Sequence, residues 1–322
     1  MRESRSMTAH NTVQFPSPSK LALVGGGFAM VAIDQRESLR RIFPLVNGEE
    51  VDDETLRKFK SAAIAALSPI ASAVLLDRHY GLADRRPAEL AKDTALVLAA
   101  DDLYHAPGQP VLATSLDPFV TEEYAQQVGA DALKLLVIWQ EDGSSAERED
   151  LVGSFLDLAQ RVGTPSLLEG IVRPARGGQW LDHHHRHEAI LRAAAELSGY
   201  GCSIYKAEVP GYIQGDVSLV REQSERLTAL LRVPWVVLSN GVAQAEFARA
   251  MVEAVEGGAS GFLAGRAVWS DTVRDEQPAA ALRERAVPRL RGLRASVSEA
   301  TSRRIAVGDA FVRSEAGKEG NS

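Results

Sequence analysis

The sequence predicts an α/β fold formed by a single (β/α)8 TIM barrel. Short apolar runs, typical of strands buried on both faces, recur eight times between longer amphipathic segments. Such an alternation is the sequence form of a parallel barrel. The 322 residues accommodate one barrel, usually of about 250 residues, with two polar ends. No GxGxxG motif opens a helix after the first run, which disfavours the alternative of an open dinucleotide-binding sheet.

The eight predicted strands share an apolar composition. They span residues 28–34, 71–77, 95–101, 132–139, 166–171, 203–209, 235–240 and 261–266. The segments between them begin on Ser or acidic residues and end on Gly, as in residues 145–163, which is typical of a helix and its dipole. The loop over residues 102–118 is longer than its counterparts, and we predict that it covers the end of the barrel at which the strands finish.

Both ends of the chain are predicted to lie outside the barrel, which we assign to residues 21–300. Residues 1–20 are polar and contain Ser and Pro, without the apolar centre of a secretory signal. We therefore predict a flexible N-terminal arm and a cytoplasmic location. Residues 301–322 end in the polar sequence GKEGNS, which predicts an unstructured C-terminal tail.

The composition disfavours several classes of function. The chain carries 36 basic and 43 acidic side chains, and a net charge of −7 disfavours a broad nucleic-acid-binding surface. The single cysteine excludes an intrachain disulfide framework, and no apolar run is long enough to span a bilayer. We therefore expect no nucleic-acid or membrane partner. A small-molecule ligand and assembly as a homo-oligomer are further expectations that the composition does not by itself establish.

Two lysines lie inside apolar predicted strands, Lys134 in the fourth and Lys206 in the sixth. Lysine is almost never fully buried without a partner, and alternate strands contribute to the same interior layer of a barrel. Desolvation and a neighbouring cation favour the neutral amine, which is the nucleophile that forms a Schiff base with a carbonyl. Glu169, on the strand between them, is placed to shuttle protons, and Asp34 to bind a hydroxyl or a lysine. The alternative is a buried ion pair that only joins strands.

The last two predicted strands end in the small-residue sequences LSNG (238–241) and AGRA (264–267). Barrels of this class usually bind phosphate at these two strand ends. Small residues allow backbone N–H groups to approach an anion, and Arg266 adds a bidentate donor. The alternative is that both sequences are only tight turns between a strand and a helix.

Five longer motifs resemble one known family. They are GGFAMVAIDQRESLR, ALSPIASAVLLD, ALKLLVIW, IYKAEVP and GASGFLAGRAVW. Together they resemble the class I aldolases of the tagatose-bisphosphate aldolase group, over residues 26–291. DQRE at 34–37, VRP at 172–174 and AGRAVW at 264–269 resemble most the sulfofructosephosphate aldolase branch of that group.

This resemblance implies an activity as well as a fold. The reaction is the reversible cleavage of a ketose 1-phosphate into dihydroxyacetone phosphate and an aldehyde through a lysine Schiff base. The favoured substrate is 6-deoxy-6-sulfofructose 1-phosphate, which gives sulfolactaldehyde, and the alternative is tagatose or fructose 1,6-bisphosphate. Neither a metal nor a cofactor is implied, because the iminium group takes the role of the Lewis acid.

The resemblance also implies a role for each candidate residue. The catalytic residues, with the Schiff-base lysine first, are Lys206, Glu169, Lys134 and Asp34. The residues implied at the phosphate are Ser239, Asn240, Gly241, Gly265 and Arg266. Gln35 and Arg36 are expected to face the distal end of the substrate, where a sulfonate or second phosphate lies. Two motifs depart from the group: LSNG, where Asn240 replaces an expected serine, and EGIVRP in place of EPVVRP, where Gly170 replaces an expected proline.

Two other functions compete with this one. A zinc-dependent aldolase could draw ligands from His79 and His105, which follow the second and third predicted strands, although three converging ligands are needed. The histidine cluster at 183–187 is explained more simply as the solvated start of a helix. A non-catalytic sugar-phosphate-binding barrel would need the last two strand ends but gives no reason for Lys134 and Lys206.

Overall fold

The structure, a computed structural model, describes residues 15–105 and 111–319, with side chains described as far as Arg304. Its strands are β1 (Phe28–Ala32), β2 (Ala73–Leu76), β3 (Ala95–Ala99), β4 (Asp101–Tyr104), β5 (Ala113–Leu116), β6 (Ala132–Gln140), β7 (Ser166–Arg173), β8 (Ile204–Ala207), β9 (Trp235–Val237) and β10 (Gly261–Ala264). All except β4 and β5 run parallel and close into a barrel in the order β1-β10-β9-β8-β7-β6-β3-β2. The prediction of one (β/α)8 barrel is confirmed.

The helices surround this barrel. They are α1 (Glu37–Arg40), α2 (Asp53–Leu67), α3 (Glu122–Gln127), α4 (Ser145–Val162), α5 (His183–Gly199), α6 (Val220–Leu230), α7 (Phe247–Glu256), α8 (Arg266–Trp269), α9 (Pro278–Ala281) and α10 (Val287–Glu319). The helix start and stop signals predicted from the sequence are observed as capping contacts. In α4, the Ser144 hydroxyl accepts a hydrogen bond from the Glu147 N–H, and Gly163 ends the helix in the left-handed conformation. No described helix is both long and apolar enough to cross a membrane.

The predicted loop over residues 102–118 contains a feature that the sequence pattern does not reveal. Strands β4 and β5 form an antiparallel hairpin there, with Asp101 paired to Leu116 and Tyr104 to Ala113. Both strands are short and largely polar, so they lack the apolar signature of the barrel strands. The hairpin begins at the end of β3, and its residue Leu103 contributes to the wall of the main cavity.

The two predicted ends differ in how far the structure describes them. Residues 1–14 of the predicted arm lie outside the described residues, and residues 18–21 form a short 3-10 turn. The helix α10 continues to Glu319, so it includes residues 301–319, which the sequence predicted as an unstructured tail. Its first half packs on the barrel, because Val297, Ala300 and Thr301 are buried.

A plug of apolar side chains fills the barrel beneath the strand ends. Side chains alternate along a strand, so every second residue of each strand points to the barrel axis. The inward apolar side chains form one buried cluster that includes Met30, Leu75, Val97, Ala132, Leu167, Ile204, Val236 and Leu263. The next inward positions on β6, β7 and β8 are Lys134, Glu169 and Lys206. The apolar plug therefore lies directly beneath these charged side chains.

Gly170 fits the packing of Tyr205 between β7 and the surrounding helices. A Cβ atom at Gly170 would lie 2.1 Å from the hydroxyl oxygen of Tyr205, a side chain that is only 1% exposed. We expect Gly170→Ala to lower the free energy of unfolding by about 1–3 kcal/mol, because the buried ring has to shift. Urea denaturation measures the change. Gly153→Ala is the matched control: it lies on α4 with no atom within 4 Å of its Cβ, so this substitution should stabilise the protein by about 0.5–1 kcal/mol. Equal stabilities of the two variants would contradict the packing role.

Candidate active site

A cavity of about 660 Å³ opens at the carboxyl ends of the barrel strands. This is the end at which barrels of this class carry their chemistry. Of the predicted site residues, those that line the cavity are Asp34, Gln35, Lys134, Glu169, Lys206, Ser239, Asn240, Gly265 and Arg266. Arg36 and Gly241 are not among its lining residues. The structure therefore brings nine of the eleven predicted residues together around one space.

Lys206, Glu169 and Lys134 form the centre of the cavity floor. Glu169 Oε2 lies 2.9 Å from Lys206 Nζ and 2.9 Å from Lys134 Nζ, so one carboxylate oxygen bridges the two ammonium groups. Glu169 and Lys206 are also register partners on adjacent parallel strands. All three residues are at most 6% exposed. The predicted meeting of the two lysines is thus observed, and it takes place through the intervening glutamate.

Lys134 is surrounded by carboxylates. Besides Glu169, its Nζ atom lies 3.1 Å from Asp34 Oδ2 and 3.0 Å from Asp101 Oδ2. Burial acts to lower the pKa of Lys134, but the three carboxylates outweigh it and hold this pKa well above the ordinary lysine value. Lys134 therefore remains a cation near neutral pH and is better suited to hold charge than to act as a nucleophile.

Asp34 and Glu169 remain ionised for the same reason. Burial acts to raise the pKa of Asp34, but Lys134 and Lys206 outweigh it and lower this pKa to about 2. Burial acts in the same way on Glu169, and the same two ammonium groups again lower the pKa of its carboxyl. Both carboxylates are therefore ionised at neutral pH and can accept a hydrogen bond.

Arg36 lies outside the cavity wall, against the outer side of Asp101. Its Nη2 atom donates to the Asp101 carbonyl oxygen at 2.7 Å and to Asp101 Oδ1 at 3.2 Å. The Arg36 side chain is 7% exposed. The sequence analysis expected Arg36 to face the distal end of the substrate. In the structure Arg36 instead contacts Asp101, the carboxylate that pairs with Lys134. The sequence identified Asp101 only as the last residue of the third predicted strand. Its pairing with Arg36 and Lys134 depends on side-chain directions at the start of β4, which the sequence pattern does not give.

The ends of β9 and β10 form one side of the cavity. Arg266 Nη2 donates a hydrogen bond to Asn240 Oδ1, so the residue that replaces the expected serine is tied to the predicted anion-binding arginine. Ser239 is 8% exposed at the same wall. A Cβ atom at Gly265 would lie 2.8 Å from the carbonyl oxygen of Ala32, so the close approach of β1 requires glycine there. Gly241 adopts a positive φ of 78° in the turn beyond the lining residues.

Two further arginines line the cavity, Arg41 and Arg173. The sequence prediction missed Arg173 because it ended the fifth predicted strand at residue 171, whereas β7 continues to Arg173. Extending the inward alternation of Glu169 and Ile171 by one step identifies Arg173 as a wall residue. Arg41 follows α1, where no periodic pattern reveals side-chain direction.

Apolar side chains separate the charged floor from Arg173. The cavity wall includes Leu136, Ile138 and Ile171, which lie on the inward faces of β6 and β7 above Lys134 and Glu169. The cavity therefore has a buried ionic floor, an apolar middle and a cationic rim. A second depression of about 390 Å³ lies against α10 at the opposite end of the barrel, away from these charges.

The histidines that the structure describes do not gather around one point. Among the described side chains, no group of three or more His, Cys, Asp or Glu residues is placed to hold a metal ion. In the cluster at the start of α5, His183 and His184 are exposed, as a solvated helix start predicts. His187 departs from that prediction, since it is 2% exposed. His185 contacts Glu141, with 2.9 Å between His185 Nε2 and Glu141 Oε1.

Comparisons with known proteins place the chain in a family. The family model described as DeoC/LacD family aldolase matches residues 28–271. A tagatose 1,6-diphosphate aldolase of Listeria monocytogenes serotype 4a (strain HCC23) is 29% identical over 286 residues, covering 81% of this chain and 82% of the relative. Tagatose 1,6-diphosphate aldolase 2 of Streptococcus pyogenes serotype M3 (strain ATCC BAA-595 / MGAS315) is 27% identical over 292 residues, covering 80% of this chain and 86% of the relative.

A solved structure supports the fold. The fructose-bisphosphate aldolase of Plasmodium falciparum superposes with a TM-score of 0.63 at 14% identity, covering 87% of this chain and 92% of that one. At this identity the similarity concerns the barrel alone. The family model, which matches most of the chain and includes all eight barrel strands, carries the assignment. The protein therefore belongs to the DeoC/LacD family of aldolases and is a carbon–carbon lyase.

Proposed function

We propose that the protein cleaves a ketose 1-phosphate reversibly into dihydroxyacetone phosphate and an aldehyde, with Lys206 as the Schiff-base lysine. The observation that carries this proposal is the buried contact of Lys206 with Glu169 beside a second, firmly protonated lysine. Among the described residues, Lys206 contacts one carboxylate, whereas Lys134 contacts three. Lys206 is therefore the less tightly paired of the two lysines, and we assign the attack on the carbonyl to it.

The first half of the reaction forms the iminium. Glu169 takes a proton from the Lys206 ammonium, and the neutral amine attacks the C2 ketone of the substrate. The carbinolamine that results loses its hydroxyl as water, with the proton returned by Glu169. The substrate is then joined to Lys206 by a protonated imine, and Glu169 is again a carboxylate. Lys134 stays charged throughout and stabilises the carboxylates on either side.

The second half breaks the carbon–carbon bond. A carboxylate of the floor, Asp34 or Glu169, takes the proton from the C4 hydroxyl while the C3–C4 bonding electrons move into the iminium. The aldehyde leaves and an enamine remains on Lys206. Protonation at C3 regenerates the iminium, and water hydrolyses it to dihydroxyacetone phosphate and the free amine. The pKa of Asp34, at about 2, suits a group that binds this hydroxyl in the ionised form.

Borohydride trapping tests the proposed function directly. Incubation with dihydroxyacetone phosphate and borohydride should reduce the imine to a stable secondary amine on the peptide that contains Lys206, which peptide mass spectrometry identifies. An adduct on Lys134 would show that Lys206 is not the Schiff-base lysine. Loss of activity on chelation, with no trapped adduct, would favour the zinc-dependent alternative, and ligand binding without turnover would favour the sugar-phosphate-binding barrel.

Arg266 is proposed to bind the C1 phosphate at the ends of β9 and β10. Arg266→Ala should raise the KM for a phosphorylated ketose about 10- to 100-fold, because one charge-assisted contact of about 1.5–3 kcal/mol is lost. Steady-state kinetics measure this change, and the melting temperature shows whether folding is affected. Arg249→Ala, an exposed change on α7, is the matched control. An unchanged KM in Arg266→Ala would remove Arg266 from the phosphate site.

The distal group of the substrate is proposed to be an anion, with two candidates. The motifs that resemble the sulfofructosephosphate aldolases favour 6-deoxy-6-sulfofructose 1-phosphate. The tagatose 1,6-diphosphate aldolases, at 27% and 29% identity, favour a 1,6-bisphosphate. Arg41 and Arg173 at the cavity wall suit either anion, because both groups are tetrahedral and accept the same donors. The kcat/KM for condensation of dihydroxyacetone phosphate with sulfolactaldehyde, compared with glyceraldehyde 3-phosphate, decides between them.

A further inference from the structure

Arg36 is a buried arginine with a partner that contacts the proposed catalytic floor. Its Nη2 atom donates twice to Asp101, and its Nη1 atom lies 3.5 Å from Asp102 Oδ1. Burial acts to lower the pKa of Arg36, but neighbouring carboxylates, chiefly Asp101, outweigh it and raise this pKa. The guanidinium is thus held against Asp101 and Asp102, and Arg36 is not among the residues that line the cavity.

Asp101 uses its two carboxylate oxygens in different directions. Oδ1 accepts from Arg36, while Oδ2 accepts from Lys134 Nζ at 3.0 Å and from the Leu136 N–H at 2.9 Å. Asp101 is fully buried and is not among the cavity-lining residues. Its carboxylate therefore fixes Lys134 from behind, and Arg36 fixes that carboxylate in turn.

A row of alternating charges results. It runs from Arg36 through Asp101, Lys134 and Glu169 to Lys206, with each successive pair of charged atoms no more than 3.2 Å apart. If Arg36 is removed, Asp101 loses the cation that pairs with its Oδ1 atom, so the carboxylate that contacts Lys134 is less firmly held. The proton acceptor for Lys206 then loses its fixed position, without any change in the residues that touch substrate.

We propose that Arg36 is a positioning residue that acts through Asp101 and Lys134 on the proton transfer between Glu169 and Lys206, and that it does not contact the distal group of the substrate. The inference rests on the proposed Schiff-base function. It predicts that Arg36 affects every step that uses Glu169, including steps in which no distal group is present. A substrate contact predicts an effect only on distal-anion ketoses.

Two rates separate these roles. The first is deuterium incorporation at the hydroxymethyl carbon of dihydroxyacetone phosphate, which requires the imine and enamine but involves no distal group. The second is cleavage of a ketose that carries a distal anion. Arg36→Met should lower the exchange rate and the cleavage kcat by the same factor, about 10- to 100-fold, with KM changed less than about twofold. A raised KM with exchange at the wild-type rate would overturn the proposal.

A double-mutant cycle tests the route through Asp101. If Arg36 acts through Asp101, the variant Arg36→Met with Asp101→Asn should be no slower than Asp101→Asn alone. Rate losses that multiply in the double variant would overturn that route. Arg36→Lys keeps the buried charge, and it should show a smaller loss of the same kind if Arg36→Met fails to fold. Wild-type rates for Arg36→Lys in both assays would contradict the proposal.

Control measurements keep this inference separate from the proposed function. Arg57→Met, a half-exposed change on α2, should leave both rates unchanged. If the wild-type protein neither exchanges deuterium into dihydroxyacetone phosphate nor traps an imine, the Schiff-base function fails. If the wild-type protein does both and Arg36→Met behaves as wild type, only the positioning role fails.

Discussion

Lys206→Met is expected to lower kcat for carbon–carbon cleavage by about 10⁴- to 10⁶-fold, because the side chain keeps its approximate volume but loses the nucleophilic amine. A cleavage assay that follows release of dihydroxyacetone phosphate measures this loss. The fold should persist, since Glu169 keeps its ion pair with Lys134. Lys58→Met is the matched control, because Lys58 is an exposed lysine on α2 and its loss should leave kcat unchanged.

A trapped imine in Lys206→Met would contradict this expectation, and its position would then identify the true nucleophile. Retention of more than about a tenth of the wild-type kcat would also rule out covalent catalysis by Lys206 as the main route. The unfolding midpoint of the variant shows whether a lower kcat reflects chemistry or loss of structure. A wild-type midpoint with a large loss of kcat is the expected combination.

Lys134→Met is expected to have the largest effect on stability. The change leaves Asp34, Asp101 and Glu169 buried without their shared cation, and breaking a buried ion pair typically costs about 3–5 kcal/mol. Urea denaturation at pH 7 measures the free energy of unfolding. Lys20→Met is the matched control, since Lys20 is an exposed partner of Asp131 and surface pairs contribute at most about 1 kcal/mol.

The loss of unfolding free energy caused by Lys134→Met should be larger at neutral pH than at acidic pH. In the wild type the pKa of Asp34 is lowered to about 2 and that of Glu169 is also lowered, so their ionised forms stabilise the fold above the unfolded pKa, near 4. This stabilisation is lost as the pH falls through that range towards 2. The variant lacks it, so the difference between the two proteins should be largest above about pH 5 and shrink towards pH 3. A difference that is constant with pH would show that Lys134 acts only by packing.

The barrel and the centre of the site were predictable because both depend on alternation along strands. Eight apolar runs identified eight barrel strands, and a lysine inside such a run has to point either into the barrel or into the surrounding core. The same reasoning placed Glu169 between Lys134 and Lys206. The resemblance to the tagatose-bisphosphate aldolases is confirmed at the level of the family, whereas the sulfofructosephosphate branch stays a prediction.

The residues whose contacts the sequence did not predict lie at or beyond the ends of the predicted strands. Arg36 follows β1, and the direction of its side chain is set by Asp101, a residue 65 positions later in the chain. Sequence spacing gives no information about such a contact. Arg173 was missed because the fifth predicted strand stopped at residue 171, two positions before the end of β7. The hairpin of β4 and β5 was missed because its pairing relies on backbone hydrogen bonds between polar residues.

The apolar plug beneath Lys134 and Lys206 also governs the route that water takes. Because that half of the barrel is packed with side chains, the water needed to hydrolyse the proposed imine has to arrive from the strand-end side, on which the substrate is proposed to bind. In the proposed mechanism, an aldehyde held in the cavity lies on the path by which water reaches the covalent intermediate, and it is the nearest reaction partner of the enamine. The packing that stabilises the barrel thus also limits the directions from which water can reach Lys206.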